Sequence, residues 1–430
     1  MGFAKNRMIE IKERGYGESD KYVCSGCVKD DYLVKIIRKK GEVGACSFCR
    51  DENDKQIKHR KVYPLEELMQ EIMPAIEYYY LDADSNVPYD NETEEYLGRT
   101  IDPYDFVYEV LAEEMQTENM DLLQELLDIL EPEVRTSIYE FIDRTSKKDL
   151  RAWAKYTDLI NNRKEMSVEQ IVSLCVNSDA PNDLKEIHSV LQKVMFHARE
   201  LHSYTTINTG KSIYRCVNFH PKGYVVPGYK TIPATLVGTA PAKCAESGRF
   251  NEKGDMMFYG ASNPQTAISE VEKKQGHPFT IGEFHTNKRV KVLNLCAVES
   301  WKRPSMFSLE QRDIERRESW LFLKEYIDRI SIPVKDRKNA DSYYKPIQVF
   351  TKYVQRVSGL YGIEYRSSKS KNNSGYLDCL PDRCYVLFAE NRDCLDESER
   401  DGKLNTDRLQ LFMKKVWQEE PESQTVVACS

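Results

Sequence analysis

From about residue 64 to 205 apolar residues recur at intervals of three and four, the spacing of one helix face. Val107, Val110, Leu111 and Met115 form one stripe; Leu122, Leu123, Leu126, Leu127 and Leu130 form the next, each opposed by Glu and Asp. Asp102-Pro103 offers an N-cap with proline in the first turn, and Glu131-Pro132 interrupts the second stripe. A further helix is predicted from Asn182 to Tyr204, with Ile187, Leu191, Val194, Met195, Ala198 and Leu201 on one side. After Thr209-Gly210 the runs shorten: SIYRCVNF, MMFYGA, FTIGEFH, VKVLNL and CYVLFAE read as strands. Among them a helix is predicted over about 308–330, and YYKPIQVFTKYVQRV predicts another. Strands mixed with separated helices, without regular βαβ alternation, indicate an α+β fold.

At 430 residues the chain is too long for one ordinary core. The pattern divides it into a small four-cysteine module at 1–63, an acidic α-helical bundle at 64–205, an α+β domain at 206–395 and a polar C-terminal tail at 396–430. Charge sharpens these divisions. The net charge is −7, yet residues 64–133 hold 21 Asp and Glu against the single Arg99, so the rest of the chain is basic. The acidic face keeps the helical segment soluble; docking on the basic C-terminal part, or imitation of a nucleic-acid backbone, is the sharper alternative. No run of 18 apolar residues occurs, and the first 30 residues are studded with charge. The expectation is a cytoplasmic protein with no membrane partner, whose twelve cysteines are reduced or metal-bound.

Four of those cysteines have ligand spacing. Cys24 and Cys27 form one Cys-x-x-Cys pair, and Cys46 and Cys49 form a second after an 18-residue spacer. Two such knuckles place four thiolates around Zn2+, and a site closed by four protein ligands is structural. Lys35, Arg38, Lys39 and Lys40 form a basic run beside it, more simply a solvated face than a nucleic-acid contact. DADSNVPYDNET imitates a calcium loop but has Val87 where glycine is needed and Thr93 where a bidentate Glu is needed. GYGESD lacks the third glycine of a dinucleotide loop.

The stretch GRFNEKGDMMFYGASNPQTAISEVEK sets Arg249, Tyr259 and Glu270 at intervals that one turn, one strand end and one helix would deliver to a common pocket. Guanidinium groups grip phosphates, a phenol ring stacks on a flat heterocycle, and a carboxylate holds ribose hydroxyls while stabilising positive charge at an anomeric carbon. NAD+ combines all three parts. From the residues alone, an Arg215–Glu270 ion pair beside a core Tyr259 is the plainer reading.

SIYRCVNF, GRFNEKGDMMFYGASNPQTAISEVEK, SIPVKD, YYKPIQVF with Gln348, YGIEYRSS and CYVLFAE, in that order over 210–391, resemble the RES domain. The resemblance implies an ADP-ribosyltransferase-like mixed sheet and an enzyme that consumes NAD+. It carries the family's site onto Arg215 after Tyr214, Arg249 and Asn251 of the Arg-aromatic-Asn segment, Tyr259, Glu270 and Ser367, with Ser368 adjacent. It implies phosphate and ribose anchoring by Arg215 and Arg249, stacking near nicotinamide by Tyr259, ribose alignment and charge stabilisation by Glu270, and a polar contact from Ser367. Arg366 stands where proline is common in the family.

The N-terminal part is similar to the zinc-knuckle and HEPN-like helical region found before RES domains. HEPN ribonucleases use an Arg-x4–6-His motif; here it occurs only as Arg215 to His220, in the first β-like run, while Arg199 and His202 are too close together. Ribonuclease chemistry in the helical part is therefore not expected. The function implied is a toxin or antiphage defence effector, an NAD+ glycohydrolase or phosphorylase restrained by its N-terminal part or by an antitoxin, and a homo-oligomer. A mono-ADP-ribosyltransferase acting on protein or nucleic acid is the alternative, and a non-catalytic zinc-dependent binding module is the second.

Overall fold

Helices form where the spacing predicts them, and their caps explain where they begin. Asn119 accepts a hydrogen bond from the Leu122 amide and opens Met120–Ile129; Asp102 accepts from Asp105 and opens a turn at Pro103. Residues Phe106–Leu111 then wind as a π-helix, which buries Phe106, Val107 and Leu111. The helix expected to reach Tyr204 stops at Glu200, because His202 turns left-handed (φ 54°) and Tyr204 begins a strand.

The structure, a computed structural model, describes residues 9–11, 13–50, 56–92, 94–97, 100–130, 135–137, 152–218, 232–271, 279–331, 337–367 and 382–419. Two units are present: Met1–Arg151 with Arg303–Glu318, and Ala152–Lys302 with Ser319–Ser430. No helix of the described residues is long and apolar enough to cross a membrane.

The first unit contains a three-stranded antiparallel sheet in the order Tyr22–Cys24, Arg60–Pro64, Glu42–Gly44. Helices Asp31–Lys40 and Leu65–Tyr79 share its core through Leu33, Ile37, Leu68, Ile72 and Ile76, which Met306 and Phe307 join. Glu114 is buried and accepts from Arg317 at 2.5 Å and from Arg303, so segment 303–318 enters this unit with its charge neutralised.

The second unit is built on a nine-stranded mixed sheet. Its order is Cys394–Asp396, Leu411–Glu419, Phe279–Thr286, Ile213–Val217, Phe258–Ala261, Arg383–Leu387, Gly362–Arg366, Val290–Asn294, Tyr204–Ile207. Two neighbouring pairs run parallel, Val290–Asn294 with Gly362–Arg366 and Cys394–Asp396 with Leu411–Glu419; the remaining pairs are antiparallel. One face packs in a large core with Tyr156, Ile171, Leu191, Tyr326 and Phe350; the other holds a smaller cluster of Ile213, Phe258, Phe284, Leu387 and Met413.

Two expectations change here. The helical segment 64–205 is not one bundle: Ala152–Asn161, Val168–Cys175 and Asn182–Glu200 pack in the sheet's own core, and Tyr156 donates to the Pro346 carbonyl at 2.7 Å. The tail expected after residue 395 contains the strand Leu411–Glu419, which pairs with all of Phe279–Thr286. Its charged residues hid Leu411, Phe412 and Met413, which are buried.

Candidate functional site

Glu270 ends the short helix Pro264–Glu270, whose start is fixed by Pro264 in the first turn and by Asn263 accepting from the Thr266 amide at 2.8 Å. Asn263 also donates to Asp382 at 2.9 Å, tying this cap to the start of the strand Arg383–Leu387. Ser367, just after the strand Gly362–Arg366, donates its hydroxyl to Glu270 Oε1 at 2.5 Å, and Cys384 Sγ lies 3.7 Å from the same oxygen. Ser368 and His220 lie outside the described residues.

Tyr259 is reached from the other side. Its hydroxyl donates to Asn251 Oδ1 at 2.6 Å, and the Asn251 amide donates to the carbonyls of Glu246, Glu252 and Asp255 at 2.9, 3.0 and 3.1 Å. Asn251 is thus the clasp of the loop that bears Arg249. Gly248 fits beneath this clasp: a Cβ there would lie 3.0 Å from Asn251 Oδ1 and 3.3 Å from the Tyr259 hydroxyl. Gln348, buried on the helix Arg337–Val357, donates to the Gly248 and Asn251 carbonyls at 2.7 and 3.0 Å. Arg249 donates to the Ile330 carbonyl at 2.6 Å.

Strand alternation separates Arg215 from Tyr214. Tyr214 packs on the face that holds Tyr259 and Tyr365, edge-on to Trp417 with ring centroids 6.2 Å apart. Arg215 lies over the Phe258 ring on the opposite face, and its guanidinium donates to the Val237 and Tyr259 carbonyls at 3.0 and 2.8 Å. Burial lowers its pKa. It fixes the backbone from which the Tyr259 side chain departs.

Tyr365, within the run YGIEYRSS, brings the two halves together, although the motif pattern gives it no role. It is buried and tilted against Phe250 at 5.0 Å. Its pKa is raised well above the usual phenol value by burial first, then by Cys384, Glu270 and Tyr259, with Arg249 opposing. Burial also raises Tyr259 and Cys384, the latter further because the Glu270 carboxylate is beside it. Both therefore stay protonated at neutral pH. The signal available in the sequence was alternation: in GIEYR, Tyr365 shares a face with Ile363.

In the first unit the sulfur atoms of Cys24, Cys27, Cys46 and Cys49 lie within 4.8 Å of one another. Neighbouring pairs are 3.3 to 3.9 Å apart, against about 3.8 Å expected between thiolates held tetrahedrally at about 2.3 Å from one ion. The Gly26 amide donates to Cys24 Sγ at 3.3 Å, and Arg60, which the sequence did not single out, donates to Cys24 and Cys49 Sγ at 3.6 Å. The donor set fits a metal ion, and the arginine offsets the excess negative charge of four thiolates.

One face of this mixed-sheet α+β unit thus carries a carboxylate, a hydroxyl, a clasped tyrosine and an arginine-bearing loop. The family model described as RES domain matches residues 213–409, and that described as HEPN/RES N-terminal domain 1 matches residues 39–173. The chain is a RES-domain protein with a HEPN/RES N-terminal domain. A RES domain supports an NAD-related, toxin-type function and an NAD-utilising activity with NAD+ as substrate. No curated protein and no solved structure gives a significant match. Both Cys24 and Cys27, and the strand Leu411–Glu419, fall outside the matched spans.

Proposed function

We propose that the RES domain cleaves the nicotinamide–ribose bond of NAD+. The observation that carries the reading is the pairing of Glu270 with Ser367 on the face that also holds Tyr259, Tyr214 and the Arg249 loop. As the C1′–N1 bond breaks, its electron pair leaves with nicotinamide, which becomes neutral, and positive charge develops on the ribose. Glu270 stabilises that charge and aligns the ribose hydroxyls, and Ser367 holds the carboxylate in place. Tyr259 is the stacking ring near nicotinamide, with Tyr214 on the same face of the sheet, and Arg249 anchors phosphate. Arg215 serves the site through the backbone of Tyr259. Asn251 shapes the loop and supports the Tyr259 hydroxyl.

Water or inorganic phosphate then adds to the ribose carbon, giving ADP-ribose or its 1″-phosphate. The alternative is transfer of ADP-ribose to a protein or nucleic acid. Nicotinamide release by the full-length protein tests the bond cleavage; free ADP-ribose, the phosphate ester or a labelled macromolecule distinguishes the acceptor. No nicotinamide release, with a cellular function that survives Glu270→Gln but is lost with Cys24→Ser, would instead favour a non-catalytic zinc-dependent binding module.

The four cysteines hold a structural zinc in this reading, because every coordination position is filled by protein. Restraint of a toxin-type activity falls to residues 1–151 or to an antitoxin, since helices 152–200 belong to the RES sheet's own core. The site of action is the cytoplasm, where NAD+ is found, and a homo-oligomer is expected.

A further inference from the structure

The Arg249–Asn251 loop is tied down along its length. Beyond the Gln348 contacts, Lys352 lies one helical turn further along Arg337–Val357, and its ammonium donates to Asp255 Oδ1 at 2.7 Å and sits 3.6 Å from Glu169. Lys352 is only 5% exposed. A lysine at that depth pays a desolvation penalty that a methionine of similar reach would avoid, so packing alone does not account for it. Asp255 in turn offers its carbonyl to Asn251, whose Oδ1 takes the Tyr259 hydroxyl. In the middle of the loop, Glu252 Oε2 accepts from the Val168 amide at 2.8 Å, an otherwise unpaired donor at the start of the helix Val168–Cys175. Lys345 fixes the turn before that helix by donating to the Lys164 and Met166 carbonyls at 2.8 and 2.6 Å.

We propose that Lys352 and Glu252 are positioning residues for the substrate loop, and that the helix Val168–Cys175 is its anchor. Glu169 on that helix, beside Lys352 and 2.9 Å from Arg356, closes the network. The span matched to the HEPN/RES N-terminal domain runs to residue 173 and so reaches into this helix. The N-terminal family region thereby supplies a rigid footing for a loop of the RES site. This rests on the NAD+ reading for its kinetic consequence, but not for the loop order itself.

The test uses the full-length chain with Lys352→Met, Lys352→Arg, Glu252→Ala and, as a control, Tyr156→Phe. Tyr156→Phe removes a buried hydrogen bond to Pro346 on the helix that also carries Lys352, a bond that involves no loop residue. Hydrogen exchange of amides 246–257 is measured without NAD+, and KM and kcat are measured by nicotinamide release. For Lys352→Met the expected result is loop exchange faster by about tenfold and KM raised about tenfold, with kcat changed less than about threefold. Glu252→Ala repeats the pattern, Lys352→Arg restores it, and Tyr156→Phe lowers the melting temperature with loop exchange and KM unchanged. Unchanged loop exchange in Lys352→Met overturns the proposal whatever the kinetics, as does an equal effect in Tyr156→Phe. Faster loop exchange in a protein whose wild type releases no nicotinamide leaves the positioning role standing and removes the NAD+ reading.

Discussion

Asn251→Asp replaces one amide group by a carboxylate of nearly the same shape, so its effect isolates the donors of the clasp. The Asn251 amide serves three carbonyl oxygens at 2.9 to 3.1 Å. Aspartate loses those donors and turns a second negative oxygen toward the same carbonyls, while still accepting from Tyr259. Lost neutral hydrogen bonds at about 1 kcal/mol each, plus a buried charge without a partner, give a destabilisation of about 4 kcal/mol. For a unit of this size that lowers Tm by about 10 °C. All four tryptophans, Trp153, Trp301, Trp320 and Trp417, lie in the second unit, so tryptophan fluorescence follows the melting of the unit that contains the clasp. The carbonyls raise the folded-state pKa of the new carboxyl above its unfolded value of about 3.9. The folded state then holds the extra proton, and the deficit grows as pH rises from the unfolded pKa through the folded one. Asn251→Asp should therefore be closer to wild type at pH ~5 than at pH ~8. Melting within about 2 °C of wild type at pH ~8, or a deficit larger at pH ~5, would refute the clasp.

Purified protein should contain one zinc per chain by elemental analysis, and Cys24→Ser should retain less than about a tenth of it; no metal in the wild type, or a full complement in the variant, contradicts the site. Deleting residues 1–205 should give an insoluble product, because it removes Ile171, Ile187, Leu191 and Val194 from the sheet's core, where each large apolar side chain contributes about 2–5 kcal/mol against a total stability of about 5–15. A soluble 206–430 fragment with a cooperative tryptophan melt would count against that assignment.

The α+β class, the family and most strands of the sheet were legible because each follows from local pattern. Phe258–Ala261 and Gly362–Arg366 lie in runs that carry the family resemblance, and the two cysteine pairs announce a four-thiolate cluster by spacing. What stayed hidden depends on contacts between distant segments. Nothing local distinguishes Tyr156, which packs on Phe322, from a bundle residue. Leu411–Glu419 is masked by its own Lys and Glu, yet its apolar residues fill the sheet beside Phe279–Thr286. Among candidate site residues, Glu270 and Ser367 are 97 positions apart in sequence and touch only once the sheet has formed. Arg215 was expected to grip phosphate; the strand's alternation instead sets it behind Tyr259, where the backbone carbonyls claim it.

The most direct measurement is nicotinamide release from NAD+ by the purified full-length protein, compared with Glu270→Gln at matched folding by tryptophan fluorescence. Release by the wild type is expected, with a loss of at least about 10²-fold in kcat/KM in the variant, the size that follows when transition-state charge loses its carboxylate. An equally active Glu270→Gln protein, or a wild type that releases no nicotinamide, would contradict this expectation.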